Sequence, residues 1–117
     1  MLEQIQALQL TECQDMERKI ANKIIGVMLD SGYTITIDNG NDITIRQSSN
    51  KEDILAGMFL TDEDKILVSH KDGNSRGYIW LVYGNRGWDV IHNYSNSLEV
   101  ILNPVHDLVD TMFINAD

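Results

Sequence analysis

Three histidines, one cysteine and two acidic clusters are the side chains here whose types could do chemistry. A helical metal site needs two imidazoles at i and i+4, and His70, His92 and His106 offer no such pair. None of them is near Cys13 in sequence. His92 alternates with Trp88, Val90 and Tyr94 along one expected strand face, so packing beside them is its expected role. Cys13 falls near an expected helix start. A nucleophile also requires a base and an oxyanion hole, and nothing in the spacing supplies either, so a buried apolar role is expected. The carboxylates Asp38 and Asp42 flank a turn without the spacing of a calcium loop. Asp62, Glu63 and Asp64 follow Thr61 and suit a solvated acidic loop or a helix start. Gly84-Asn85-Arg86-Gly87 joins strand to strand with no helix following, so it reads as a hairpin turn rather than a phosphate cradle. No catalytic residue, metal or cofactor is expected from these patterns.

The stretch Gly77–Tyr94 is different in kind. It holds both tryptophans together with Tyr78, Tyr83 and Tyr94. If Tyr83 pairs with Trp88 across the turn, Ile79, Leu81, Trp88 and Val90 share one face. Tyr78, Trp80, Val82 and Ile91 then share the other, beside Asp89 and Asn93. Three helices cover one side of a five-stranded sheet and rarely both. Part of the aromatic face is therefore either exposed as a binding surface, or buried by the N-terminal segment or a second subunit.

Eighteen acidic residues against nine basic ones give a net charge of −9. After Arg86 there is no Lys or Arg, while Asp89, Glu99, Asp107, Asp110 and Asp117 all lie in that stretch. Phosphate binding needs clustered cations, so direct nucleic-acid recognition is disfavoured, and the charge reads first as solubility and alternatively as an acidic surface that docks on a basic partner. A single cysteine makes no internal bridge, no apolar run approaches the ~20 residues of a membrane span, and the N-terminus lacks a signal-peptide pattern. A cytoplasmic, non-membrane protein is expected.

The elements that position these residues are legible from periodicity. A chain of 117 residues with 43% apolar content suits a single domain, residues 1–117, with a core of its own. Thr11-Glu-Cys-Gln14 fits a capping box opening a helix that carries Met16, Ile20, Ile24, Val27 and Met28, and Ser31-Gly32 ends it. Upstream, Leu2, Ile5 and Leu8 continue a helical spacing, so residues 1–10 are either an earlier turn or a terminus that orders on a partner. In YTITIDNGNDITIR a three-residue Asp38-Asn39-Gly40 loop would pair Ile35 with Ile43 and Tyr33 with Ile45. Ser49–Glu52 is a second capping box, opening a short helix with Ile54, Leu55, Met58 and Phe59 facing inward. Strands follow at Lys65–His70, Gly77–Tyr83 and Trp88–Tyr94. A last helix carries Leu98, Ile101, Val105, Leu108, Val109 and Met112. Pro104 lies within it, either at the start of a new helix capped by Asn103 or at a kink. The order α-β-β-α-β-β-β-α with short links predicts an α+β fold, an antiparallel sheet of about five strands with three helices on one face.

The strings GYTITI (32–37), ILAGMFLTDED (54–64) and GYIWLVYGNRGWDVIHNYS (77–95) resemble a group of small uncharacterised proteins encoded in phages and prophages. Their pattern is a GYTISV-like strand, an AILAALxSTDED helix and loop, and a GWVxLVYGNxGWDVIxDYS hairpin before a C-terminal helix. The resemblance spans about residues 25–115. This chain departs from the pattern at Gly77-Tyr78-Ile79, where the group has Gly-Trp-Val, and at Asn93, where the group has an aspartate. The resemblance implies an accessory phage product, and many such acidic proteins bind and block host machinery, including CRISPR–Cas and restriction systems. The expectation is a non-enzymatic module that inhibits a basic host protein. Asp62, Glu63, Asp64 and Asp89 would supply charge, with Tyr78 and Trp80 as anchors. A homodimer and a small enzyme with a sheet–helix pocket are the alternatives.

Overall fold

Ile20, Ala21, Ile24, Ile25 and Met28 recur at helical spacing and are all fully buried, which fixes one face of the first helix against the sheet. The computed structural model describes residues 2–84 and 87–115, with side chains described over 12–84 and 87–114. The expectations placed on the side chains of Leu2, Ile5, Leu8 and Thr11, on Asn85 and Arg86, and on Asp117 lie outside the described residues.

Helix α1 spans Leu2–Asp30 without a break, roughly 43 Å at 1.5 Å per residue. The helix start expected at Thr11 is therefore corrected: Thr11–Gln14 lies in the helix interior, and so does Cys13. A capping-box pattern built from helix-compatible residues starts a helix only where the upstream chain stops being helical, and no Gly or Pro precedes it here. The predicted end does form. Ser31 N–H donates to the Val27 carbonyl at 3.1 Å and Gly32 N–H to the Leu29 carbonyl at 3.1 Å.

The strands are β1 (Tyr33–Asp38), β2 (Ile43–Ser48), β3 (Glu63–His70), β4 (Arg76–Val82) and β5 (Ile91–Tyr94). Helix α2 (Lys51–Ala56) lies between β2 and β3, and α3 (Asn103–Asn115) follows a 3₁₀ turn at Asn96–Leu98. The five strands form an antiparallel sheet in the order β2-β1-β3-β4-β5. This is the α+β architecture and element order expected from the sequence. Ile35 pairs with Val68, and Ile37 and Ile79 flank Ile66, which lays fully or nearly fully buried side chains on the helix-covered face. Each such isoleucine contributes about 1.5–3 kcal/mol by leaving water. Leu98, Leu102 and Val105 close the core from the C-terminal side. Pro104 is the second residue of α3, so a new helix begins there.

Local details differ from expectation for identifiable reasons. The β1–β2 register is Asp38 with Ile43, Ile37 with Ile45 and Ile35 with Ser48, with bulges between them. Asn39 is buried and its Oδ1 accepts from Asn41 N–H at 2.9 Å and Asp42 N–H at 2.8 Å, while Asp38 Oδ1 accepts from Gly40 N–H at 2.9 Å. These consecutive side-chain turns wind residues 39–42 into a longer loop than Asp-Asn-Gly alone. Asn50, not Ser49, caps α2, accepting from Asp53 N–H at 3.1 Å. Strand β3 starts at Glu63, two residues before the expected Lys65.

Strand β5 starts at Ile91 rather than Trp88, and Gly84 and Gly87 before it both lie against α1. Gly87 makes that approach possible. Its φ is +86°, and a Cβ there would stand 3.0 Å from Met16 Cβ and 3.1 Å from Cys13 Cα. Gly87→Ala is expected to cost about 2 kcal/mol, from left-handed strain plus crowding, measured by urea unfolding. A loss below about 0.5 kcal/mol, the range of an ordinary surface substitution, would show that the loop is not held against α1.

Candidate functional site

The sheet has two unlike faces. One packs on the helices, and the other carries Thr34, Thr36, Lys65, Leu67, Tyr78, Trp80 and Val82, all half-buried or exposed. Trp80 is the most elaborately held side chain on this open face. Its indole N–H donates to Glu63 Oε2 at 3.0 Å, Lys65 Nζ lies 4.6 Å over its ring, and His92 meets it edge-on at 4.5 Å. The register places Lys65 opposite Trp80 and Leu67 opposite Tyr78, so these four form one contiguous patch. A cation over the indole and a hydrogen bond to its edge restrict rotation, so the tryptophan is ordered before any partner arrives.

One end of this face is acidic. Thr61 Oγ1 donates to the Asn39 carbonyl at 2.9 Å, which ties the 61–63 segment to the 39–42 loop. Partly exposed Glu63 bonds Trp80 directly, and Asp38 lies in the same cross-strand row through Lys65, while exposed Asp62 sits at the edge, lining both a hollow beside Glu63 and a cleft against α1. The structure thus brings together Tyr78, Trp80 and Glu63 from the expected contact set, and leaves Asp62 at the edge between this face and the α1 side.

Two members of that set lie elsewhere. Asp64 is fully buried on the helix-covered face and cannot touch a partner, because it alternates with Glu63 along the strand. Asp89 belongs to the loop before β5 and lies on the helix side. It lines a hollow with His106 and Val109, and its charge acts on Glu17 of α1. His92 also moves: a bulge between Trp80 and Leu81 in the β4–β5 pairing sets it against Trp80 instead of beside Val90. His70 is structural. Asp72 N–H donates to its Nδ1 at 3.1 Å, leaving Nε2 to donate to the Ser31 carbonyl at 3.1 Å.

A second feature was not signalled by any motif. Where α1 passes the start of β3 and the end of β4, a cleft of about 260 Å³ is lined in part by Cys13, Glu17, Arg18, Phe59, Tyr83 and Asp62. Cys13 is half-buried at this wall rather than sealed in the core. Behind the cleft, Asp64 Oδ2 accepts from Phe59 N–H at 2.9 Å and from the Tyr83 hydroxyl at 2.5 Å. Asp64 Oδ1 is buried with no hydrogen-bond partner among the described residues. Phe59 adopts φ +66°, a left-handed conformation that is strained for a bulky side chain, and the Asp64 bond holds it there. The Arg18 guanidinium lies 4.7 Å over the Phe59 ring. Glu17 is 4% exposed and accepts from Gly84 N–H at 2.8 Å.

Burial raises the pKa of both carboxyl groups. For Glu17 desolvation outweighs the Gly84 bond, and Asp89 adds to the rise. For Asp64 desolvation outweighs the bonds from Phe59 and Tyr83. The Tyr83 hydroxyl is pushed far up by burial and by its acidic neighbours, so it stays a donor. A carboxyl whose pKa rises on folding binds more protons folded than unfolded. Its contribution to stability therefore falls as pH rises from the unfolded value through the folded one. Glu17→Gln keeps an acceptor for Gly84 and removes the charge. Relative to the parent, the variant is expected to gain stability as pH rises from about 4 to 7, read from paired urea melts. A difference that stays constant with pH would contradict the raised value.

Among the described residues, no three His, Cys, Asp or Glu side chains converge to hold a metal ion, and no helix is long and apolar enough to cross a membrane. No protein-family model, curated protein or solved structure matches the chain.

Proposed function

We propose that the protein works by binding another protein through the open face of its sheet, and that the partner presents a basic surface. The observation that carries this reading is the pre-ordered patch of Trp80, Tyr78, Lys65 and Leu67 on a face that no described helix covers. Tryptophan and tyrosine on a rigid strand lose little freedom on docking, which is why they dominate binding energy at interfaces. Glu63 on the Trp80 indole, Asp38 in the row of Lys65 and Asp62 at the edge of the face, within a chain of net charge −9, give the partner its sign. The resemblance to phage and prophage products extends the proposal. On that reading the protein would act in the cytoplasm of a bacterial host and inhibit a defence or nucleic-acid-handling protein that itself binds polyanions.

The test is affinity capture from a bacterial lysate, followed by titration of the purified partner at two salt concentrations. Affinity should fall as salt rises, because opposed charges at an interface are screened. The same proteins captured equally well by Leu67→Glu and Asp62→Lys variants would remove the sheet face from consideration.

The Glu17–Tyr83–Asp64 cleft favours a second reading, a small enzyme, since buried carboxyl groups with raised pKa values collect at catalytic sites. Glu17→Gln separates the two readings. It leaves partner binding on the opposite face intact and abolishes any proton transfer that Glu17 performs.

A further inference from the structure

The cleft beside α1 carries charges of both signs that are not paired with each other. Arg18 of α1 and Asp62, just before β3, line it from two different elements. Both are exposed, and among the described residues neither takes part in an ion pair. The other polar groups of the wall are committed inside the chain. Glu17 accepts from Gly84 N–H, Thr61 Oγ1 bonds the Asn39 carbonyl, and the Tyr83 hydroxyl donates to Asp64. The rest of the lining is largely apolar: Cys13, the Phe59 ring and the Tyr83 ring 5.1 Å from it.

A ligand of single charge meets repulsion here. An anion drawn to Arg18 also approaches Asp62 and Glu17, and an amine drawn to Asp62 also approaches Arg18. A zwitterion satisfies both signs at once. The Arg18 guanidinium lies 4.7 Å over the Phe59 ring, which orders the planar fork that binds a carboxylate through two parallel hydrogen bonds. The cleft is about 260 Å³ in volume, just under the ~300–1,000 Å³ of sites for drug-sized ligands. The two charges of the ligand must therefore sit on one small molecule, with an apolar group for the rings.

We infer that the cleft binds a free α-amino acid with an apolar side chain. Its carboxylate sits on Arg18, its ammonium on Asp62, and its side chain against Phe59, Tyr83 and Cys13. Glu17 stays on Gly84 and is not needed for this contact. The site rests neither on the open-face reading nor on catalysis at the cleft. Arg18 belongs to the helix side of the sheet, so failure of this site leaves partner binding through the open face standing.

The test uses Cys13, the single cysteine of the chain, as reporter, because it lines the same cleft. L-Leucine or L-phenylalanine at millimolar concentration should slow its alkylation by iodoacetamide saturably. The Gly84 amide resonance in a ¹H–¹⁵N spectrum should move over the same range. N-acetyl-L-leucine and L-leucine amide each lack one charge and should bind about tenfold more weakly. Arg18→Gln should weaken L-leucine binding about tenfold without weakening that of the amide, which offers Arg18 no carboxylate. Three results would overturn the site: no saturable change in either readout with either amino acid, equal affinity for the three leucine compounds, or an Arg18→Gln loss shared by the amide.

Discussion

Asp64→Ala is expected to destabilise the protein by about 3 kcal/mol, well beyond an ordinary polar substitution. The residue is fully buried and one of its oxygens accepts two hydrogen bonds, from Phe59 N–H and the Tyr83 hydroxyl. Alanine leaves both donors without their acceptor in a part-buried site, and each orphan costs about 1–3 kcal/mol to the extent that cleft water fails to replace it. It also releases Phe59 from φ +66°, so the ring that stacks on Tyr83 at 5.1 Å and under Arg18 loses its anchor. The cleft wall should loosen with the fold. Asp64→Asn tests the account from the other side. Its amide oxygen still accepts both donors, and the substitution removes a charge that burial opposes. It should therefore lose much less than Asp64→Ala, measured by urea unfolding at neutral pH. Equal losses for the two variants would mean that the carboxylate charge, and not acceptor geometry, holds the network.

The network explains which parts of the molecule were legible in the sequence. Alternation in Tyr33-Thr-Ile-Thr-Ile37 and helical spacing in Ile20, Ile24 and Met28 report burial directly, because a residue's apolarity is set by its own environment. Those elements formed as read, and so did the five-stranded antiparallel sheet and the order of elements along the chain. Asp64 was misread because its burial depends on partners nineteen and five positions away in sequence, Tyr83 and Phe59. A buried carboxylate and a solvated one look alike in a string such as Thr61-Asp-Glu-Asp64. The alternation Asp64, Ile66, Val68 did carry a signal, since it extends the buried face back by one position. Glu17 carried none, as one polar residue on an amphipathic helix. The turn after β4 was misjudged for a related reason. Gly84 and Gly87 suit a tight hairpin, yet both are held by Glu17 and Met16 of a helix far away in sequence, and β5 begins only at Ile91.

Trp80→Ala is expected to weaken binding of the captured partner about 30-fold, equivalent to ~2 kcal/mol, the size of an interface hot spot. The stability cost should be smaller, about 1 kcal/mol, because the indole is half-buried and its Glu63 partner returns to water. That separation is the point of the experiment: a scaffold residue loses stability and binding together, whereas an anchor loses binding first. Two companions localise the effect. Leu67→Glu places a carboxylate opposite Tyr78 in the same patch and should weaken binding comparably. Asp62→Lys reverses a charge at the acidic rim and should act chiefly on the association rate and its salt dependence. Titration calorimetry with the purified partner, beside thermal melts of each variant, measures both quantities. Unchanged affinity in both Trp80→Ala and Leu67→Glu, with melts near the parent, would leave the open face without a binding role. Acidity alone would then account for any salt-sensitive capture. Affinity lost only in step with stability would instead make Trp80 a packing residue that braces Lys65 and His92 across three strands.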